Sequence, residues 1–192
     1  MMLLAVDTTA AVATAALVRD GELIAEREAD ASKKHAETVL PMIDAMLEET
    51  GVPLSKIDLF AVDIGPGSFT GVRIGVSLVN SLAFATGKKI VPVDALRALA
   101  QSAGETEAPV LALIDARNGN AYAALYQAGK TLIEPCAVEI EPFLSRIPAG
   151  AVVVGDTHTE NKMYPRARFV ANAALFTPEK SQSETEPLYL RP

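Results

Sequence analysis

The chain has 192 residues, 17 Lys+Arg against 24 Asp+Glu, a formal net charge of −7 and 49% hydrophobic residues. That composition is globular and excludes a disordered chain. Residues 1–100 carry 9 basic and 13 acidic groups and residues 101–192 carry 8 and 11, so neither half has the positive charge with which a nucleic-acid binder grips a phosphate backbone.

The apolar run Met2 to Val6 predicts a first strand ending at Asp7-Thr8-Thr9, and Val12 to Val18 a second. Arg19-Asp20-Gly21-Glu22 carries a hairpin signal, and Leu23 to Ala29 alternates as a third strand. The period then changes. Val39, Met42, Ile43, Met46 and Leu47 recur at helical spacing, with Gly51 as C-cap and Pro41 expected to kink the helix or mark a short first turn. Ile57 to Ile64 reads as a buried strand, Gly65 to Ser68 as a loop, and Phe69 to Ala85 as a helix apolar nearly all round and hence buried. Ile90 to Val93 gives a fifth strand, and Asp94 caps a helix over residues 95–103.

The polar stretch Ser102 to Ala108 divides the chain into residues 1–104 and a smaller unit, 105–192. The second unit starts as the first does. A strand from Val110 ends at Asp115, a turn holds Asn118-Gly119, and strands follow at Ala121–Gln127, Thr131–Ile140 and Ala151–Gly155. This is a weak internal repeat of pattern.

A single cysteine, Cys136, excludes a disulfide framework and a multi-Cys zinc site. His35 has Val39 four residues on, so there is no HxxxH pair, and His158 lies in a polar loop; no metal site is expected. The longest uncharged stretch near the middle, Ile74 to Gly87, is 14 residues and falls short of the ~20 that cross a bilayer. The N-terminus lacks a basic region and meets Asp7 at once, so no signal peptide, no membrane partner and a cytoplasmic location are expected.

The segment from Gly65 to Gly75, GPGSFTGVRIG, matches neither a Walker A loop nor the dinucleotide fingerprint. It reads as a strand-to-helix turn, either packed or holding an anion on its free amides. Gly71 and Gly75 fall on one helix face, where each costs roughly 1 kcal/mol relative to Ala. Such glycines point to close approach of another backbone, in this chain or in another subunit. Asp7-Thr8-Thr9 and Asp115 end corresponding strands, either as local turns or as acids facing a cleft.

Together Asp7-Thr8-Thr9, Lys34-His35-Ala36-Glu37, Leu40-Pro41-Met42-Ile43, the Gly65–Gly75 segment, Asp115-Ala116-Arg117-Asn118-Gly119 and Pro187-Leu188-Tyr189-Leu190-Arg191 resemble the TsaB (YeaZ) family over almost the whole chain. The resemblance implies an α/β actin-like ASKHA fold of two related domains, each with a mixed sheet opened by an antiparallel meander, the second reduced. It implies a non-catalytic subunit, without cofactor, in formation of N6-threonylcarbamoyladenosine at position 37 of ANN-reading tRNAs. Its partners would be catalytic TsaD and the ATPase TsaE, with a homodimer when alone and tRNA reached only through the complex. TsaD-like members hold a metal through two His four apart; here only His35 is present. The implied interface residues are Val39, Met42, Ile43, Met46, Gly71, Arg73, Ile74, Gly75 and Leu78, and a nucleotide site would draw on Asp7, Thr8, Thr9, Gly67 and Asp115. An independent ATP-binding enzyme of sugar-kinase type is the alternative, and a metallopeptidase a more distant one.

Overall fold

The computed structural model describes residues 1–30, 35–160 and 162–190, and side chains from Glu37 onward in the first helix. Lys34 and Arg191, and the side chains of His35 and Ala36, lie outside this description. Strands β1 (Met2–Asp7), β2 (Val12–Arg19) and β3 (Glu22–Asp30) form the expected meander, and β4 (Leu59–Asp63) and β5 (Lys89–Val93) add in parallel to give the order β3-β2-β1-β4-β5. In the second half β6 (Val110–Arg117), β7 (Asn120–Gln127), β8 (Lys130–Glu139) and β9 (Val152–Gly155) give the order β8-β7-β6-β9. The second sheet therefore repeats the first without its last strand. The repeat seen as pattern in the sequence is a repeat of topology, the duplicated actin-like arrangement.

Helix α1 (His35–Thr50) runs through Pro41, whose ring is exposed, as one continuous helix. It stops at Gly51, which takes φ +65° while the Val52 N–H reaches back to the Leu47 carbonyl at 3.1 Å. Helix α2 (Phe69–Thr86) is capped by the Ser68 hydroxyl, which accepts the Gly71 N–H, and stops at Gly87, again left-handed. Val39, Ile43 and Met46 of α1 and Val72, Val76 and Val79 of α2 pack with Leu4, Val6, Phe60 and Val62 on one face of the first sheet. The other face, through Leu3, Ala5, Ala61 and Val91, meets α3 (Ala95–Ala100) and α5 (Ala167–Leu175). Leu96 and Leu99 of α3 turn instead to the second sheet, whose far face is covered by α4 (Ile140–Leu144). The layers thus run α1/α2, first sheet, α3/α5, second sheet, α4.

Two expectations change. A cut at 104/105 assigns α5 to the second unit, yet α5 packs on the first sheet, because Val170, Ala171 and Ala174 match the apolar face left open there. The tail that follows also returns to the first sheet: Gln182 and Ile90 exchange backbone hydrogen bonds at 2.8 Å, and Asn80 bonds Thr185 in both directions. Helix α2 is as long and apolar as a membrane span, but it is not buried all round. Full burial is confined to the stripe through Gly71, Val72, Gly75, Val76, Val79 and Ala83, since the helix lies on the outside of the sheet, and Phe84 is 90% exposed.

Candidate functional site

Two strand ends and the bulge near the end of β6 close in the same way. Oδ1 of Asp7 accepts the Thr9 N–H, Oδ1 of Asp63 the Gly65 N–H and Oδ1 of Asp115 the Arg117 N–H, each at 2.8 Å. These side chains replace backbone partners that the strands lose where they turn. Between the two halves of the fold these turns border a cleft of about 560 Å³, lined by Thr9 to Ala11 and Pro66 to Phe69 on one side and by Ile114 to Arg117, Tyr122, Asp156 and Met163 to Pro165 on the other. Asp156 Oδ1 accepts the Asp115 N–H at 2.8 Å, and burial raises the Asp156 carboxyl above the usual range.

Of the five proposed nucleotide-site residues, Thr9, Gly67 and Asp115 line the cleft. Asp7 and Thr8 do not: both are fully buried beneath it. Asp7 holds Thr9 by both its N–H and its hydroxyl, and Thr8 donates from Oγ1 to the Gly71 carbonyl at 2.7 Å. The cleft offers an anion the start of α2 and Arg117, opposed by the carboxylates of Asp115 and Asp156. A helix start can hold a phosphate, but here acidic side chains face it across the gap.

The glycines are explained by the same contact. A Cβ on Gly71 would lie 2.0 Å from the Thr8 carbonyl oxygen, one on Gly75 2.3 Å from Thr8 Oγ1, and one on Gly67 2.7 Å from Thr9 Cβ. The close-approaching backbone is therefore the end of β1 in the same chain. Gly71 and Gly75 leave the interface set, and so do Val39, Ile43 and Met46, each at most 1% exposed in the core beneath α1. Met42, Ile74 and Leu78 remain half-buried and Arg73 exposed. At the mouth of the cleft Phe69 stacks on Tyr189 at 5.3 Å between ring centroids, with the Arg73 guanidinium 5.3 Å from the Phe69 centroid. The tail that brings Tyr189 there is held by Leu188, whose N–H donates to the Ile64 carbonyl at 2.7 Å.

Sequence reasoning missed Asp63, although it is a third strand-terminal Asp in plain view, and missed Asp156 and Tyr189, which only the tertiary fold brings to the cleft. Cys136 is half-buried, its thiol pKa pushed up by burial, and unsuited to act as a nucleophile. His158 is exposed in its loop. Among the described residues no three His, Cys, Asp or Glu side chains converge as a metal cluster.

Residues 27–185 match the family model described as TsaD: tRNA N6-adenosine threonylcarbamoyltransferase. The chain is 40% identical over 124 residues to the tRNA threonylcarbamoyladenosine biosynthesis protein TsaB of Haemophilus influenzae, covering 64% of this chain and 52% of that one. It is 40% identical over 131 residues to the Escherichia coli protein of the same name, covering 66% and 55%. The solved structure "YeaZ from Pseudomonas aeruginosa" superposes with a TM-score of 0.81 and 29% identity over 98% of this chain and 99% of that one. The chain belongs to the TsaB (YeaZ) family. It spans about half the length of the curated TsaB proteins it matches.

Proposed function

We propose that the chain is a non-catalytic partner subunit in formation of N6-threonylcarbamoyladenosine at position 37 of ANN-decoding tRNAs, pairing with catalytic TsaD and working with the ATPase TsaE. The name carried by the curated relatives supports the pathway. The observation that carries the partner role is the outward face of α2. An 18-residue apolar helix is left with a third of its length buried, and Phe84 stands in solvent. Ser77, Ser81 and Ala85 follow one another every four residues along that face, all small and exposed, flanked by Ile74, Leu78 and Phe84. Small residues at this spacing let a second helix approach closely while the flanking apolar side chains bury against it. The neighbouring α1 adds exposed Leu40 and half-buried Met42. When TsaD is absent the same face serves a homodimer.

The non-catalytic reading is supported at position 39, where a second histidine would be needed beside His35. Val39 is there instead, 1% exposed and part of the core. A net charge of −7 leaves tRNA binding to the partner. The assembly works in the cytoplasm without a cofactor held by this chain. The test is size-exclusion chromatography with light scattering, run on the chain alone, with TsaD, and as a Phe84→Asp, Ser81→Trp double variant. The wild type is expected to form a complex with TsaD and the variant to elute as a folded monomer; an undiminished complex in the variant overturns the assignment of the face.

A further inference from the structure

Asp7 and Asp63 end adjacent parallel strands, one residue beyond the paired Val6 and Val62. By strand alternation each continues the face of Leu3 and Ala5, or of Leu59 and Ala61, that turns toward α5. Both are 0% exposed. In each, Oδ1 is satisfied by the turn it closes, and Oδ2 meets no donor among the described residues. Two ionised carboxylates buried at adjacent strand ends without water or a cation would carry an uncompensated burial penalty. The charged groups nearby do not remove it. Arg166, ahead of α5, faces Asp7 but is already engaged with Glu26 and Glu28, and Glu26 itself adds negative charge; Asp94 adds more on the Asp63 side, where Arg97 and Lys180 act on Asp94.

We infer that Asp7 and Asp63 share a buried proton that latches the ends of β1 and β4 together beneath the cleft, so that its loss loosens the two turns carrying Thr9 and Gly65. A proton fits better than a metal ion. The pair has no third acidic, His or Cys partner among the described residues, and neither residue lines the cleft through which a hydrated ion would enter. Burial raises both carboxyls, Asp7 to about 7, and the proximity of the Asp7 charge raises Asp63 further. The sign follows from linkage. An unfolded Asp releases its proton near pH ~4, so between there and neutrality the folded chain binds more protons than the unfolded one, and stability falls as pH rises through the folded values.

The test compares urea unfolding of the wild type and Asp63→Asn between about pH 6 and about pH 9, alongside infrared spectra of the folded proteins. Asn at 63 keeps an oxygen for the Gly65 N–H and offers an amide proton to Asp7. The wild-type midpoint is expected to fall by about 1 M or more across that range while that of Asp63→Asn changes far less. A protonated-carboxyl band present in the wild type near neutrality should be weaker in the variant. Equal pH slopes in the two proteins, or no such band, overturn the inference. Asp7→Asn provides the same comparison if Asp63→Asn does not fold. Recovery of wild-type stability at high pH on adding magnesium or calcium alone would replace the shared proton with a cation.

Discussion

Gly75→Ala is the sharpest probe of why α2 carries glycine. The new methyl would lie 2.3 Å from Thr8 Oγ1, where ordinary contact begins near ~3.5 Å. Either the helix shifts by roughly 1 Å or the Thr8 hydroxyl rotates away and gives up its 2.7 Å bond to the Gly71 carbonyl. Overpacking of this kind costs about 1–3 kcal/mol and a lost buried hydrogen bond about 1 kcal/mol, while Ala regains about 1 kcal/mol of helix propensity. The net expectation is a loss of about 1–3 kcal/mol. With Thr8→Ala the obstructing oxygen is gone, and the nearest remaining Thr8 atom, Cβ at 3.5 Å, makes an ordinary contact. In that background Gly75→Ala should be neutral or stabilising by up to about 1 kcal/mol, giving a coupling of about 1–4 kcal/mol in the double-mutant cycle. Urea unfolding followed by far-ultraviolet circular dichroism of the four proteins measures it. Additive effects, or a Gly75→Ala variant of wild-type stability that no longer binds TsaD, would refute the intramolecular explanation and return Gly75 to the interface.

Gly71→Ala should cost more than about 3 kcal/mol and resist rescue by Thr8→Ala, because its Cβ meets the Thr8 backbone carbonyl at 2.0 Å; unfolding of the same pair of backgrounds decides it. Tyr189→Ala should cost about 0.5–1.5 kcal/mol by removing the stack on Phe69, and an unchanged midpoint would show that the stack does not help to seat the tail. Glu26 works against its burial, but Arg168 and Arg166 outweigh it and hold its carboxyl below the usual range. Its contribution is therefore present near neutrality and lost on acidification, so Glu26→Gln should flatten the acid side of the stability profile, read by unfolding at falling pH. Calorimetry of the isolated chain with Mg-ATP should show no tight binding, since the cleft sets Asp115 and Asp156 against the start of α2; tight binding would revive the kinase-like reading.

Most of the fold was legible because its signals are local. The Asp-Gly and Asn-Gly hairpins, the Asp94 cap and the left-handed Gly51 act within a few residues, and the strand-end Asp residues at 7 and 115 exposed the duplication. The destination of α5 was not legible, because Val170 and Ala174 pair with a sheet built more than 70 residues earlier in the chain. The site was misread for a related reason. Helical spacing identifies which residues share a face but not what that face meets. Spacing leaves Gly71 and Gly75 open between a contact in this chain and one in another subunit, and the family resemblance alone implies an interface there and at positions 39, 43 and 46; the end of β1 and the first sheet occupy those faces. The outward face of α2 carries Ser77, Ser81 and Ala85, residues whose small size is unremarkable until the opposite side of the helix is known to be full.

The proposed role puts the chain's contribution to the modification on its outer helical face and none of the chemistry in its own cleft. Threonylcarbamoyl transfer to an ANN-decoding tRNA, reconstituted from TsaD, TsaE and the synthase that supplies the activated intermediate, tests it most directly. The product is expected to form only when the chain is added, an Asp115→Asn, Asp156→Asn cleft variant to support it at the wild-type rate, and Phe84→Asp, Ser81→Trp not to support it. Loss of the product with the cleft variant, while its complex with TsaD remains intact, would contradict it.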